Sequence, residues 1–185
     1  MASTPSTPSQ EQGWALTKLL RLHNRMRNDL AVLERVSRAL RDGDGAAAIE
    51  MLRGLSLNQP GWRLQAFCTQ LCRFVHGHHA TEDGVLFPLL LQCDDQDTAL
   101  PGVIDELRAD HRVLSRLLDE AEDACAALPG DPATGTAAVA TVDRLSEHLR
   151  THLDKEERQL APTLNKLSRL MSEDQLPDLP AEHTT

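Results

Sequence analysis

The sequence predicts an all-α protein, an antiparallel four-helix bundle, and three observations carry that expectation. Four long segments repeat their apolar residues every three or four positions, the spacing that gathers one stripe on one helix face. The chain holds 3 Phe, 2 Trp and no Tyr, so its core must be filled mainly by Leu, Val and Ala, which suits packed helices. No alternation of strands with helices and no hairpin series competes with that period. At 185 residues and 41% hydrophobic, the chain is large and apolar enough for one domain with a real core.

The elements follow in order. Residues 1–12 are rich in Ser, Thr and Pro and read as a flexible arm before a domain spanning 13–171. The first helix, from Trp14, carries Leu16, Leu19, His23, Met26, Leu30, Leu33, Ser37 and Leu40. RDGDG at 41–45 ends it, with glycines available for positive φ. Residues 46–56 can form a short extra connecting helix, and Asn58-Gln59-Pro60-Gly61 is a break.

The second helix begins near Trp62 and shows Leu64, Cys68, Leu71, Val75, His78, Glu82, Val85 and Leu89 on one stripe. Pro88 is expected to bend it, because proline removes a donor and clashes with the preceding turn. After the polar loop CDDQDTA at 93–99, a third helix presents Ile104, Leu107, His111, Leu114, Leu118, Ala121, Cys125 and Leu128. LPGDPATG at 128–135 is turn-rich, with Asp131 as a cap and Pro132 at the first helical position. The fourth helix shows Ala138, Val142, Leu145, Leu149, His152, Glu156, Leu160 and Thr163, continues past Pro162 to Met171, and leaves 172–185 as a flexible tail.

A net charge of −9 repels phosphate backbones and anionic membranes, so no nucleic-acid partner is expected. No run of eighteen apolar residues offers a membrane span. The opening MASTPSTPSQEQG has neither a basic start nor an apolar run, so the expected location is cytoplasmic. Four cysteines are sparse for a stapled secreted scaffold and read as reduced core residues. Cys68 and Cys72 share a helix face, where a mutual disulfide would have to bend both rotamers.

The histidines carry the chemistry. His23, His78, His111 and His152 each sit on an otherwise apolar stripe, one per long helix. Glu82 and Glu156 follow His78 and His152 by four residues, which stacks each pair on one face. His148 extends the fourth helix's set by another turn. Two carboxylates buried face to face would repel and lose hydration, and bound cations remove both problems. A mixed imidazole and carboxylate set fits the nitrogen–oxygen chemistry of iron, manganese or zinc. Leu19, Met26, Leu71, Val75, Leu107, Leu114, Leu149 and Phe74 are candidates for a dry wall around such a centre.

HGHHATEDGVLFPLL (76–90) and its echo HLRTHLDKEERQLAP (148–162) resemble the haemerythrin-like, HHE cation-binding family. That family's pattern is a histidine on helix one, HxxxE on helix two, a histidine on helix three and HxxxE on helix four. His23, His78 with Glu82, His111, and His152 with Glu156 match it, and the resemblance covers about residues 14–170. It implies two iron ions with a bridging oxo or hydroxo group, Glu82 and Glu156 bridging, and five terminal histidines. Oxygen carriers of the family take the fifth from helix three, where Ser115 stands here, so His148 is the replacement, with His79 as the competing position. His79 and Asp83 otherwise read as groups that orient a ligand through its other ring nitrogen. The carriers also use aspartate where Glu156 stands, a second departure from plain oxygen carriage.

The expected function is binding or redox processing of dioxygen, hydrogen peroxide or nitric oxide, with an external electron donor for any turnover. The alternative is an iron- or oxygen-responsive sensor without turnover. Whether the protein is an enzyme is left open, and a monomer or weak dimer is expected.

Overall fold

The computed structural model describes residues 12–44, 60–127 and 134–175. Its elements are α1 (Trp14–Arg41), α2 (Pro60–Thr81), a π-helical turn (Glu82–Leu86), α3 (Phe87–Cys93), α4 (Leu100–Ala127), α5 (Thr134–Leu170) and a 3-10 turn (Glu173–Gln175). No strand occurs among the described residues, so the all-α expectation holds. No helix among them is long and apolar enough to cross a membrane. The 46–56 connection, the cap at Asp131 with Pro132, the arm 1–11 and the tail from 176 onward lie outside the described residues.

Interhelical partners fix the topology. Along α1, Gly13, Arg27 and Glu34 meet Asn165, Asp154 and Arg150 in descending order of α5. Thr69, His76 and Asp83 of α2 and the π turn meet Glu122, Asp119 and His111 of α4. Glu106 and Glu120 of α4 meet Lys155 and Arg144 of α5. His23 and Arg25 of α1 meet His78 and Phe74 of α2. Every neighbouring pair is therefore antiparallel, in the ring order α1, α5, α4, α2. The Arg150 fork grips both carboxylate oxygens of Glu34 at 3.0 and 3.1 Å, which sets register as well as charge.

The helix ends are satisfied as the sequence requires. Asp97 Oδ1 accepts from the amides of Ala99 and Leu100 and opens α4. Gly43 takes φ 74°, and the amides of Asp42 and Asp44 close back on Arg38 and Ala39, so RDGDG ends α1 as expected. At the other end of α1, Gly13 donates to Asn165 Oδ1 and Ala15 to Ser168 Oγ, so α5 side chains cap α1. Gly13 lies so close to Ser168 that an added Cβ would collide with its side chain.

Ahead of Pro88, where a bend is expected, the α-helix gives way to a π turn at Glu82–Leu86, and for a physical reason. Pro88 has no N–H, and its ring would crowd the carbonyl four residues back. The chain widens instead: the Phe87 amide donates to the Glu82 carbonyl, five residues back, across the π turn. One extra residue enters the turn and the stripe slips. Val85 and Leu89, expected inside, are half-buried, whereas Phe87 and Leu90 are fully buried. Pro162 sits inside α5, which runs on to Leu170.

The core falls into two apolar clusters. One is built around Met26, Leu30, Leu71, Val75, Leu114, Leu118, Leu145 and Leu149. The other is built around Leu16, Leu19, Phe87, Leu90, Ile104, Leu107, Leu160 and Leu164. On every long helix the polar residues at 23, 78–82, 111 and 152–156 fall between the two, as one layer. Of the residues expected to wall that layer, all but Phe74 are buried. Phe74 is half-buried beneath the Arg25 guanidinium.

Candidate metal centre

Five histidines and two glutamates turn into the layer between the apolar clusters. His23, Glu82, His152 and Glu156 are at most 2% exposed, and His78, His79 and His111 at most 8%. Their donor atoms fall into two groups, each within 4.8 Å: His23, His78, Glu82 and Glu156 in one, and His79, His111 and His152 in the other.

Glu82 joins the groups. Its Oε1 lies 2.8 Å from His78 Nε2 and its Oε2 lies 3.6 Å from His111 Nε2. Glu156 Oε2 does the same, 3.3 Å from His23 Nε2 and 3.6 Å from His152 Nε2. Each carboxylate thus touches one imidazole from either side. The π turn begins at Glu82 itself, so the turn that accommodates Pro88 also sets the direction of this side chain.

Two of the ring nitrogens facing away are hydrogen-bonded to acids, and a third has an acid only at longer range. Glu157 Oε1 is 2.8 Å from His23 Nδ1, Asp83 Oδ1 is 3.1 Å from His111 Nδ1, and Asp110 Oδ2 is 3.7 Å from His152 Nδ1. A proton held on Nδ1 by an acid leaves Nε2 with its lone pair pointing inward. His79 and His111 stack with centroids 4.0 Å apart, and Phe87 stacks on the other face of His111 at 5.6 Å.

As a purely polar core this layer would be poorly built. Both oxygens of Glu82, both of Glu156, both ring nitrogens of His152, and Nε2 of His79 and His111 are buried without a hydrogen-bond partner. Such groups each cost roughly 1–3 kcal/mol, more when charged. Burial lowers His78 to about 3 and His152 to about 4, and it lowers His79 and His111 as well. These imidazoles are neutral, the form that ligates metal. Burial also opposes charge on His23, but the neighbouring Glu156 and Glu157 carboxylates raise it. Glu82 is pushed well above the ordinary carboxylate range by burial and by the charge of Glu156. For Glu156 burial is outweighed by His23, which holds it down at about 2. Inward lone pairs and partnerless carboxylate oxygens at this density fit a pair of cations.

The structure brings together His23, His78, Glu82, His111, His152 and Glu156 and leaves His148 outside the layer. His148 is exposed and belongs to neither group. Four residues advance a helix by about 400°, so each such step drifts about 40° round the axis. The buried face of α5 centres on Leu145, Leu149 and Glu156, His152 is at its edge, and His148 falls beyond it. The fifth imidazole in the layer is His79. A signal for it was present: Cys68, Cys72, Val75, His79 and Glu82 also step by four and three, and all are buried. Asp83 stands against His111 as an orienting group, and His76 stays half-buried, 3.4 Å from Asp119.

Fold and site together define a helical bundle whose interior is a histidine and carboxylate cation-binding layer. Residues 15–164 match the family described as the hemerythrin HHE cation-binding domain, and the chain belongs to that family. No curated protein and no solved structure is found to match it.

Proposed function

We propose that the protein holds two iron ions in this layer and uses them to bind or redox-process a small oxidant: dioxygen, hydrogen peroxide or nitric oxide. One observation carries the reading. Glu82 and Glu156 are shared between a group with two histidines and a group with three. With both carboxylates shared, the His23 and His78 side supplies one donor fewer, and that side is where an incoming ligand belongs.

An iron pair held there supplies reversible electron exchange with such a ligand. The chain's own residues do the rest. Asp83 and Glu157 hold protons on the outer ring nitrogens of His111 and His23 and so fix their inward lone pairs. Met26, Leu71, Val75, Leu107, Leu114 and Leu149 keep bulk water away, and the burial of every donor favours a ligand of only a few atoms. The departures from oxygen carriers, at Ser115 and Glu156, favour processing over simple carriage.

Anaerobic iron loading, followed by optical spectra on addition of dioxygen, peroxide or nitric oxide, tests this. A new band with at least one of the three is expected; an iron-loaded protein inert to all three would overturn the proposal. A sensor would use the same site, and steady-state consumption of peroxide with an external donor separates it from an enzyme.

A further inference from the structure

Away from the metal layer, a second group of redox-capable side chains lies at the opposite reach of α2 and α4. Cys68 and Cys125 face each other across that interface with their Sγ atoms 2.6 Å apart, both at most 2% exposed. We propose that Cys68 and Cys125 form a peroxide-responsive dithiol that closes to an intramolecular disulfide joining α2 to α4. The proposal does not rest on the iron reading. Cys68 lies ten residues before His78 and Cys125 fourteen after His111, about 15 and 21 Å along their helices.

Three observations assign the pair. The two sulfur atoms already face each other in contact across antiparallel helices. The third thiol of the cluster, Cys72, is turned aside and donates to the Leu118 carbonyl at 3.5 Å. Cys125 stands two residues before the end of α4 at Ala127, where a helix terminus opens locally more readily than its middle. A small uncharged oxidant can therefore reach a pair that is covered in the closed bundle. Either thiol can donate to the other, so whichever ionises is stabilised by its neighbour; Cys125, nearer the end of its helix, is the group an oxidant meets first.

The chemistry balances with a peroxide as the oxidant. The Cys125 sulfur attacks one peroxide oxygen, the O–O bond breaks, and the departing hydroxide takes the thiol proton to leave as water. Cys125 is then a sulfenic acid. The Cys68 sulfur attacks the Cys125 sulfur, the S–S bond forms, the S–O bond breaks, and a second water leaves with the Cys68 proton. Two thiols and one hydrogen peroxide give one disulfide and two waters. The sulfurs lose two electrons and the peroxide gains them.

The test uses the full chain, metal-free and iron-loaded in parallel, reduced with a phosphine, desalted, exposed to hydrogen peroxide and quenched with an alkylating agent. Two of the four thiols should disappear, with loss of two hydrogens from the intact mass and a Cys68–Cys125 linked peptide that phosphine releases. The oxidised form should melt about 5–10 °C higher, since the cross-link closes a long loop. Cys72→Ala should leave the linkage intact, and Cys68→Ala should leave Cys125 trappable as a sulfenic acid. Retention of all four thiols in excess peroxide, or linkage through Cys72, Cys93 or a second chain, overturns the proposal. Either result leaves the iron count untouched.

Discussion

Glu157 accepts from Nδ1 of His23 at 2.8 Å through the same Oε1 that receives the Arg27 guanidinium at 2.6 Å. Arg27 is held in turn by Asp154 at 2.7 Å. A fully buried imidazole is thus tied through Glu157 to a charged cluster on the α1–α5 seam, and its inward nitrogen has a fixed direction. Glu157→Ala should weaken iron binding about 10–100-fold while leaving the helical circular dichroism unchanged. Glu157→Gln, which keeps an acceptor, should lose less. Equal affinity in wild type and Glu157→Ala would show that the contact positions nothing.

The two competing histidines give opposite expectations. His79 is buried in the three-histidine group and His148 is exposed on α5. Iron stoichiometry should fall in His79→Ala and stay at the wild-type value in His148→Ala. The reverse pattern would return the fifth position to His148.

Glu82 trades stability against binding. Both its oxygens are buried without hydrogen-bond partners, so the metal-free fold carries an unsatisfied carboxylate. Glu82→Leu should abolish stoichiometric iron binding yet raise the metal-free melting temperature by about 2–6 °C, from roughly 1–2 kcal/mol recovered. A lower metal-free melting temperature in Glu82→Leu would mean that the carboxylate supports the fold directly.

Acid should destabilise the metal-free protein. His78 and His152 are lowered to about 3 and about 4, and His79 and His111 are lowered too, each chiefly by burial. A lowered imidazole stays neutral in the fold while its unfolded form takes a proton below about 6.5, so unfolding takes up protons there. That stability is fully present above pH 6.5 and is lost as pH falls toward 4. His23, Glu82 and Asp29 are raised and work in the opposite sense, but the lowered carboxylates of Glu156 and Glu157 act with the four imidazoles. Thermal melts of metal-free protein from pH 7 to 4 should show a falling midpoint, and His79→Leu should flatten it. A midpoint that is constant or rises with acid contradicts the burial of neutral imidazoles.

The bundle was legible because four stripes and their breaks each point to one architecture. Six of the seven side chains in the layer were legible for the same reason: polar residues at 23, 78, 82, 111, 152 and 156 interrupt otherwise apolar stripes. Four features were not. A helix face has width, and the seam of α2 holds both His78 and His79, about 100° apart, so a single stripe names only one. On α5 the same tolerance drew in His148, which the 40° drift carries to solvent. The register slip to Phe87 and Leu90 is a tertiary outcome, since proline marks where a helix must change but not how. The Cys68 and Cys125 pair depends on how α2 faces α4, which neither helix's own spacing encodes.

The central claim is that two donor groups, joined by Glu82 and Glu156, hold two ions. Anaerobic titration of metal-free protein with ferrous iron, followed by elemental analysis after desalting, tests it most directly. The account predicts saturation at about two iron ions per chain, falling when either glutamate is replaced by alanine. Saturation at one ion, or retention of none, would contradict it.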